Sequence, residues 1–256
     1  MTSKTVVFIH GLYMTPSCWE DWVKRFEAKG YHCLAPAYPG RDKSVRDLQT
    51  PDAALGKLTL TNILDELTNK IKALDEKPIL IGHSMGALIT QLLLQRGLAS
   101  AAIAIDSAPP TGVFTTTFSF LKANWGHITP FANQNSPVLM TFERFQYAFV
   151  NDMPLNEQRA AFERYVVPES RRIPRESLLS AKIDFKKAHA PLLLIAGGND
   201  NIIPPRLNKT NYQKYKAGSS VTDFKEFPGR NHFILGQKGW EEVADYCMEW
   251  ITNQKM

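Results

Sequence analysis

Six short apolar runs, separated by helix-length segments, constrain the fold of this chain more than any other feature of its sequence. Turn residues bound each run, and the runs are TVVFI (5–9), YHCLAPA (31–37), PILIG (78–82), AAIAID (101–106), PLLLIAG (191–197) and VTDFKEF (221–227). Short runs rich in Val, Ile and Leu are typical of strands that are buried in a parallel sheet. The pattern predicts an α/β fold with a mostly parallel, six-stranded sheet flanked by helices.

Apolar residues at helical spacing occupy the segments between these runs. Residues 59–74 carry leucines and isoleucines three and four positions apart, which predicts a helix lying on the sheet. The run ALITQLLLQRG is apolar on nearly every face, which predicts a buried helix that ends at Gly97. A further apolar stripe over 240–251 predicts the closing helix.

The alternation stops between Pro109 and Lys187, where the sequence contains no convincing strand. Nine of the fourteen phenylalanines lie in this stretch, from Phe114 to Phe185. Structureless loops of this length are rare in compact domains. We therefore expect a helical insertion at 110–187 and a core domain made of residues 1–109 and 188–256.

The charge and hydropathy of the chain argue against nucleic-acid and membrane partners. The 256 residues include 30 Lys and Arg against 25 Asp and Glu, a net charge of +5 that is spread along the chain. This excess is too small to indicate a nucleic-acid partner. The longest apolar runs, such as LLLIA at 192–196, are far shorter than the roughly 20 residues that cross a bilayer, so stable membrane insertion is not expected.

The three cysteines, Cys18, Cys33 and Cys247, have neither metal-ligand spacing nor a Cys-x-x-Cys pair. Free thiols in a reducing compartment are the simplest interpretation, and VVFI running straight into HG predicts a first strand instead of a signal peptide. We therefore expect a cytoplasmic protein. The sequence has no glycine-rich phosphate loop, HExxH helix or Rossmann fingerprint, so neither a cofactor nor a catalytic metal is expected.

The motif GHSMG at 82–86 is the strongest chemical signal, because it follows the run PILI directly and precedes a predicted helix. A serine in such a strand-to-helix turn takes a strained backbone conformation, and the flanking glycines remove side chains that would collide there. The turn raises the hydroxyl at the carboxyl edge of the sheet, where the helix N-terminus favours developing negative charge. Ser84 is therefore the predicted nucleophile.

A serine hydroxyl needs a base to take its proton. Among six histidines, His232 lies in the loop GRNHF after the last predicted strand, which would place it at the same sheet edge as Ser84. His83 is expected to point away from the reacting bond, and His10 is expected to brace the first turn. His232 is the predicted base.

The base in turn needs an acid that orients it. Asp200 follows the strand at 191–197, and Gly197 and Gly198 allow the chain to turn there so that the carboxylate can face the imidazole. Asp106, at the end of AAIAID, is the alternative acid, or else a residue that caps a turn. We favour Asp200.

Acyl transfer also needs donors for the oxyanion. The main-chain N–H of Met85, directly after the nucleophile, is one candidate. The loop after the first strand, His10-Gly11-Leu12-Tyr13, would supply the other through the N–H of Leu12. The side chains of Leu12 and Tyr13 would then form a wall of the acyl pocket.

Taken together, these motifs resemble the α/β-hydrolase superfamily, in the branch of esterases, lipases and C–C bond hydrolases. The resemblance runs from the HG loop through GHSMG and GGND to NHF. It implies an α/β-hydrolase fold, a triad of Ser84, Asp200 and His232, and oxyanion donors at Leu12 and Met85. A serine nucleophile argues against haloalkane dehalogenases and epoxide hydrolases, which use an aspartate.

The resemblance also implies that the insertion is a helical cap over the triad. Its aromatic residues would line an apolar pocket, and the candidate substrate-binding residues there are Phe114, Phe118, Trp125 and Phe145. The basic segment ESRRIPR (169–175) is expected to be solvated surface, with a site for an acidic substrate as the alternative.

The expected activity is hydrolysis of small carboxylic esters with apolar acyl groups through an acyl-enzyme. A thioesterase, an amidase or a C–C bond hydrolase would use the same triad, and a non-catalytic ligand-binding protein on this scaffold is the alternative of another class. A monomer or a homodimer is expected.

Overall fold

The protein forms one parallel sheet of six strands. The computed structural model describes residues 3–50, 53–114, 117–119, 122–123, 133 and 135–254. The strands are β1 (Thr5–Ile9), β2 (His32–Leu34), β3 (Ile79–His83), β4 (Ala101–Ile105), β5 (Leu192–Gly197) and β6 (Thr222–Phe227). Their order is β2-β1-β3-β4-β5-β6, and every neighbouring pair is parallel. The predicted sheet is therefore confirmed.

The second strand is much shorter than the run of 31–37 that predicted it. It lies at the edge of the sheet and pairs with β1 through only three residues, from His32 to Leu34. Pro36 follows, and a proline has no N–H to continue the ladder. The strand therefore ends where the apolar pattern continues.

At least one helix lies between every two consecutive strands. Their bounds are α1 (Glu20–Glu27), α2 (Val45–Leu48), α3 (Leu60–Lys72), α4 (Met85–Gln95), α5 (Phe142–Ala148), α6 (Leu155–Tyr165), α7 (Arg172–Ser180), α8 (Pro205–Tyr215) and α9 (Trp240–Asn253). The helices that were predicted after 59, after GHSMG and after 240 are all present as α3, α4 and α9.

Alternate residues of the strands build two separate hydrophobic cores, one on each face of the sheet. Phe8 and Ile103 face the core that contains α1 and α9. Ile9 and Ala104 face the other core, which contains α3, α4 and α8. Because both faces are covered, the four central strands β1, β3, β4 and β5 are almost continuously buried, as the apolar runs predicted.

Helix α4 is buried on every side between Met85 and Leu94, which confirms the prediction from its uniformly apolar sequence. It packs against β3 and β4 and ends just before Gly97, which takes a left-handed conformation (φ 73°). The helix behind Ser84 is thus fixed within the protein core.

The residues between β4 and β5, from 110 to 187, are called the inserted stretch. Those that the structure describes form the helices α5, α6 and α7 and one antiparallel bridge between Val138 and Glu169. The expectation of solvated surface for 169–175 is wrong. Glu169 and Ser170 are fully buried, and α7 begins at Arg172. In the parts of the chain that the structure describes, no helix is long and apolar enough to cross a membrane.

Candidate active site

The predicted site residues meet at the carboxyl edge of the sheet. Because all six strands are parallel, the residues that follow them come together at one edge. His10 follows β1, Ser84 follows β3 and Asp106 follows β4, while the loops after β5 and β6 carry Asp200 and His232. Residues that are far apart in the sequence are thereby brought into one region.

Ser84 has a backbone conformation that a side-chain-bearing residue rarely takes (φ 57°, ψ −119°). Two main-chain hydrogen bonds fix it, since its N–H donates to Ile105 O at 2.9 Å and its carbonyl accepts from the N–H of Ala108 at 3.0 Å. The side chain is 8% exposed. The turn that was predicted from GHSMG is therefore the one observed.

The two glycines of this motif allow close approach of neighbouring main chain. A β-carbon at Gly82 would lie 2.3 Å from the carbonyl oxygen of Gly86, and one at Gly86 would lie 2.1 Å from that of Ile9. A β-carbon at Gly11 would lie 2.9 Å from Cβ of Ser84. The turn is thus packed directly against the end of β1 and the loop that follows it.

His232 and Asp200 form a hydrogen-bonded pair, with 2.6 Å between Nδ1 of the imidazole and Oδ2 of the carboxylate. The other carboxylate oxygen accepts the main-chain N–H groups of Ile202 and Ile203, both at 2.8 Å. Since a carboxylate only accepts, Nδ1 carries the hydrogen and Nε2 holds a lone pair. This Nε2 is buried and has no hydrogen-bond partner among the described residues.

Asp106 lies close to this pair and also has a left-handed backbone (φ 45°). Its Oδ1 accepts the N–H of Gly197 at 2.6 Å. Burial raises the pKa of Asp106, the charge of Asp200 raises it further, and the single amide donor at Gly197 opposes the shift. Burial also raises the pKa of Asp200, but its amide donors oppose that shift. We therefore place the ionised carboxylate at Asp200 and the proton at Asp106.

Three buried histidines surround the site, and burial keeps each of them neutral at pH 7. It lowers the pKa of His232 from 6.5 to about 3 and that of His10 to about 3. Burial lowers the pKa of His83 as well, and the neighbouring His232 adds to that shift. An uncharged imidazole at His232 is the protonation state that a base requires.

His83, Asp106 and His232 are close enough to be considered as metal ligands. One nitrogen or oxygen from each lies within 4.8 Å of the others. Each side chain already bonds to protein groups, namely the carbonyl of His232, the N–H of Gly197 and the carboxylate of Asp200. These bonds account for the proximity of the three side chains without an ion.

Comparison with known proteins agrees with this geometry. The sequence profile described as "Alpha/beta hydrolase family" matches residues 6–246. The chain belongs to this family. No curated protein matches the chain.

Solved structures of other α/β hydrolases cover nearly all of this one. A monoacylglycerol lipase of Paleococcus ferrophilus is 20% identical, with 98% of this chain and 95% of that chain covered and a TM-score of 0.69. A pyrethroid hydrolase from Sphingobium faniae JZ-2 is 17% identical, with 97% of each chain covered and a TM-score of 0.70. A methylesterase from Arabidopsis is 17% identical, with 97% and 98% covered and a TM-score of 0.70. At these identities the similarity establishes the fold.

The histidine loop of this α/β hydrolase is held by a segment of the inserted stretch that the sequence did not single out. The ring of Phe149 meets the His232 ring edge-on at 4.8 Å, and its carbonyl accepts the N–H of Phe233 at 3.0 Å. Asp152 accepts a hydrogen bond from Asn231 at 2.5 Å. The only sequence signal for this segment was its aromatic content.

The predicted roles of the two other histidines have different outcomes. His10 does brace the first turn, since its Nδ1 contacts Gly11 O at 2.9 Å and its ring packs on Tyr38 at 3.8 Å. For His83 the structure adds a contact with the histidine loop, and its direction away from the reacting bond stays a prediction. Its Nε2 lies 2.8 Å from the carbonyl oxygen of His232.

The predicted substrate-binding residues lie in four different environments. Leu12 is half-buried, and Tyr13 is buried with a left-handed backbone (φ 64°). Phe145 is fully buried and stacks on Phe149 at 5.2 Å. Phe114 and Phe118 are 74% and 76% exposed. Trp125 lies outside the described residues.

Proposed function

We propose that this α/β hydrolase is a serine hydrolase that cleaves carboxylic esters of apolar acyl groups through an acyl-enzyme. The observation that carries the proposal is the buried His232. Its Nδ1 is bound to Asp200 at 2.6 Å, and its Nε2 has no partner in the described part of the chain. The lone pair of Nε2 is therefore suited to accept the proton of the strained serine, which lies at the same edge of the sheet.

In the first step, Nε2 of His232 takes the hydroxyl proton of Ser84 as the oxygen attacks the ester carbonyl. The imidazolium that forms is stabilised by the carboxylate of Asp200, which also fixes the ring orientation. The negative charge moves to the former carbonyl oxygen. We assign its stabilisation to the main-chain N–H groups of Leu12 and Met85.

The position of these two donors is consistent with that role. Met85 is the first residue of α4, and amides in the first turn of a helix have no intrahelical partner. Gly11, which precedes Leu12, is packed against Ser84. Met85 is thus next to the nucleophile in the chain, and the residue before Leu12 is next to it in space.

In the remaining steps His232 acts as acid and then as base. The imidazolium gives its proton to the leaving alcohol, and the acyl group stays on Ser84. The neutral imidazole then takes a proton from water, which attacks the acyl carbonyl and releases the acid. No external cofactor enters this sequence of steps.

The preference for apolar acyl groups rests on the inserted stretch, which we propose to be a cap made of residues 110–187. Aromatic side chains are concentrated there, and Phe149 contacts the His232 ring. Apolar side chains around a few polar groups are typical of small-molecule sites. The similar solved structures include a lipase and a methylesterase, in keeping with ester substrates.

The decisive variant is Ser84→Ala, assayed with p-nitrophenyl acyl esters of increasing chain length. We expect kcat to fall by about 10⁴ to 10⁶, since removal of a triad member typically costs that much. The control is Ser219→Ala, at an exposed serine, which should retain wild-type activity. Wild-type protein should also be labelled by a fluorophosphonate probe at Ser84.

Two outcomes would contradict the proposal: a Ser84→Ala activity within tenfold of wild type, or no labelling of Ser84. A parallel series of thioesters and anilides with the same acyl group compares leaving groups. Higher kcat/KM on a thioester or anilide than on the matched ester would replace the ester assignment.

A further inference from the structure

The loop that carries the proposed oxyanion donor has an unusual conformation at Tyr13. This residue has φ 64°, in the region that favours glycine, although it bears a large side chain that is almost fully buried. Such a conformation persists only where surrounding contacts determine it. The contacts that fix the main chain of Tyr13 come from another part of the chain.

Both main-chain groups of Tyr13 bond to one short segment of the inserted stretch. Its N–H donates to Oε2 of Glu169 at 3.1 Å, and its carbonyl accepts the N–H of Val167 at 2.9 Å. The N–H of Tyr13 is thus directed to Glu169 and is not available to a substrate. The bond to Glu169 fixes the peptide plane between Leu12 and Tyr13, and the bond from Val167 fixes the next plane, between Tyr13 and Met14.

Glu169 is itself fixed by several contacts. It is fully buried and forms an ion pair of 2.7 Å with Arg41, which is also buried. Its Oε1 accepts the N–H of Ser170 at 2.7 Å, and its main chain forms the bridge with Val138. The carboxylate therefore cannot change position without breaking several bonds.

Arg41 connects this arrangement to the other side of the loop. The main-chain N–H of Arg41 donates to the main-chain oxygen of Tyr38 at 2.9 Å. The hydroxyl of Tyr38 donates to the main-chain carbonyl of His10. The loop from His10 to Tyr13 therefore lies between the segment around Tyr38 and the segment around Glu169. The hydrogen bonds of the Tyr38 hydroxyl, Glu169 and Val167 are all made to the main chain of the loop, which is the part that would bind an oxyanion.

We propose that Glu169 is a positioning residue for the oxyanion hole. By accepting the N–H of Tyr13, its carboxylate fixes the peptide plane that follows Leu12 and so limits how Leu12, the residue assigned as oxyanion donor, can turn. Arg41 neutralises the carboxylate and keeps it in place. This inference rests on the proposed function, because it assumes that the Leu12 amide is an oxyanion donor.

A purely stabilising role explains the ion pair less well. Two charges removed from water lose their hydration, and an apolar pair of similar volume often gives equal or greater stability. A buried carboxylate that accepts one main-chain N–H of a strained loop has a geometric task that an apolar residue cannot perform. The test must therefore separate the acceptor from the charge.

Two double variants make this separation. In Arg41→Leu/Glu169→Gln the charges are absent, but the amide oxygen can still accept the N–H of Tyr13. In Arg41→Leu/Glu169→Leu both the charges and the acceptor are absent. Glu20→Leu/Arg164→Leu removes an exposed ion pair of 3.1 Å between the same two parts of the chain and is the control.

We expect the Leu/Leu variant to have a kcat about 10- to 100-fold below that of the Leu/Gln variant, with KM within about threefold, since loss of one oxyanion donor costs on the order of 10² to 10³. Its affinity for a trifluoromethyl ketone, which forms a tetrahedral adduct with the serine, should fall in parallel. The control should match wild type. Equal kcat values for the two Arg41 variants, at similar melting temperatures, would overturn the proposal.

Glu169→Asp provides a second measurement if a leucine variant fails to fold. It keeps a charge opposite Arg41 and withdraws the carboxylate from Tyr13 by one methylene. We expect kcat to fall at least about tenfold and amide hydrogen exchange at Tyr13 to accelerate. Unchanged exchange and kcat would overturn the proposal. An inactive wild type would count against the ester hydrolase alone, because the exchange measurement reads the Glu169 contact without a substrate.

Discussion

The Nε2 of His83 donates a hydrogen bond of 2.8 Å to the carbonyl oxygen of His232, so the residue before the proposed nucleophile fixes the main chain of the proposed base. The two rings lie 4.7 Å apart, and both are fully buried. The strand-to-helix turn and the histidine loop are thus connected by a side chain as well as by the sheet.

We predict that His83→Leu lowers kcat/KM by about tenfold or more. The hydrogen bond to His232 is lost, and small misplacements of a reacting group can cost on the order of 10². His32→Leu, at an exposed position of β2, should leave kcat/KM unchanged. Steady-state kinetics with a p-nitrophenyl ester decides the matter, and equal values for the two variants would contradict a role for His83.

The two buried aspartates should differ strongly in their effect on activity. Asp200 bonds to His232 Nδ1, whereas Asp106 bonds to the N–H of Gly197. We expect Asp200→Asn to lower kcat by about 10³ to 10⁴, because the amide favours the wrong tautomer of the imidazole. Asp106→Asn should cost no more than about tenfold. The reverse order in a kcat comparison would identify Asp106 as the acid.

The pH dependence of kcat/KM should follow the pKa of His232. A protonated imidazole cannot accept the serine proton, so activity is lost as the pH falls through this pKa. Burial lowers the pKa of His232 from 6.5 to about 3. We expect the acid limb to lie between these two values. An acid limb of kcat/KM centred above pH 6.5 would show that burial does not lower the pKa of His232.

Acid should destabilise the fold through His10. Its pKa falls from 6.5 to about 3 because it is buried and lies near Arg41. The unfolded chain therefore binds one more proton between these values, and this contribution to the free energy of unfolding is lost as the pH falls from 6.5 toward 3. The expected slope is about 1.4 kcal/mol per pH unit inside this window.

Urea unfolding of His10→Gln measures this contribution directly. Between about pH 5.5 and 4, the free energy of unfolding of the variant should fall less steeply with decreasing pH than that of wild type. The two slopes should differ by about 1.4 kcal/mol per pH unit. His32→Gln, at the exposed position, is the matched control and should retain the wild-type dependence. Parallel curves for wild type and His10→Gln would rule out the linkage.

Gly86→Ala should be much more destabilising than an alanine at another glycine of the same helix region. Its β-carbon would lie 2.1 Å from Ile9 O and 2.4 Å from His10 O, which is main chain that cannot move easily. We expect a loss of about 3 kcal/mol. Gly97→Ala meets only open space and a left-handed φ of 73°, so it should cost about 1–2 kcal/mol. Thermal melts of the two variants test the difference.

Much of the fold could be predicted because the apolar runs are local and unambiguous. The bounds of β3 and β5 differ from the predicted runs by one residue, since both strands are buried on both faces. The apolar run at 31–37 predicted a longer β2 than the one observed. An edge strand pairs with a single neighbour, and its length depends on that pairing. The pattern of one segment contains no information about that pairing.

Part of the candidate site could likewise be predicted from local sequence, and part could not. GHSMG is a compact motif whose geometry is set by the residues within it, so its turn could be predicted. Glu169 lies in a run of arginines that suggests a surface, and its buried partner Arg41 is far away in the sequence. Nothing local to either residue indicates that they meet. The contact of Phe149 with His232 was missed for the same reason.

The six parallel strands have a consequence for how the chain matures. The loop after β1, the turn after β3 and the loops after β5 and β6 reach one another only when each strand has taken its place in the order β2-β1-β3-β4-β5-β6. A chain still being synthesised, and lacking residue 232, would hold the serine turn but no base. Recovery of ester hydrolysis during refolding should therefore coincide with the docking of β6.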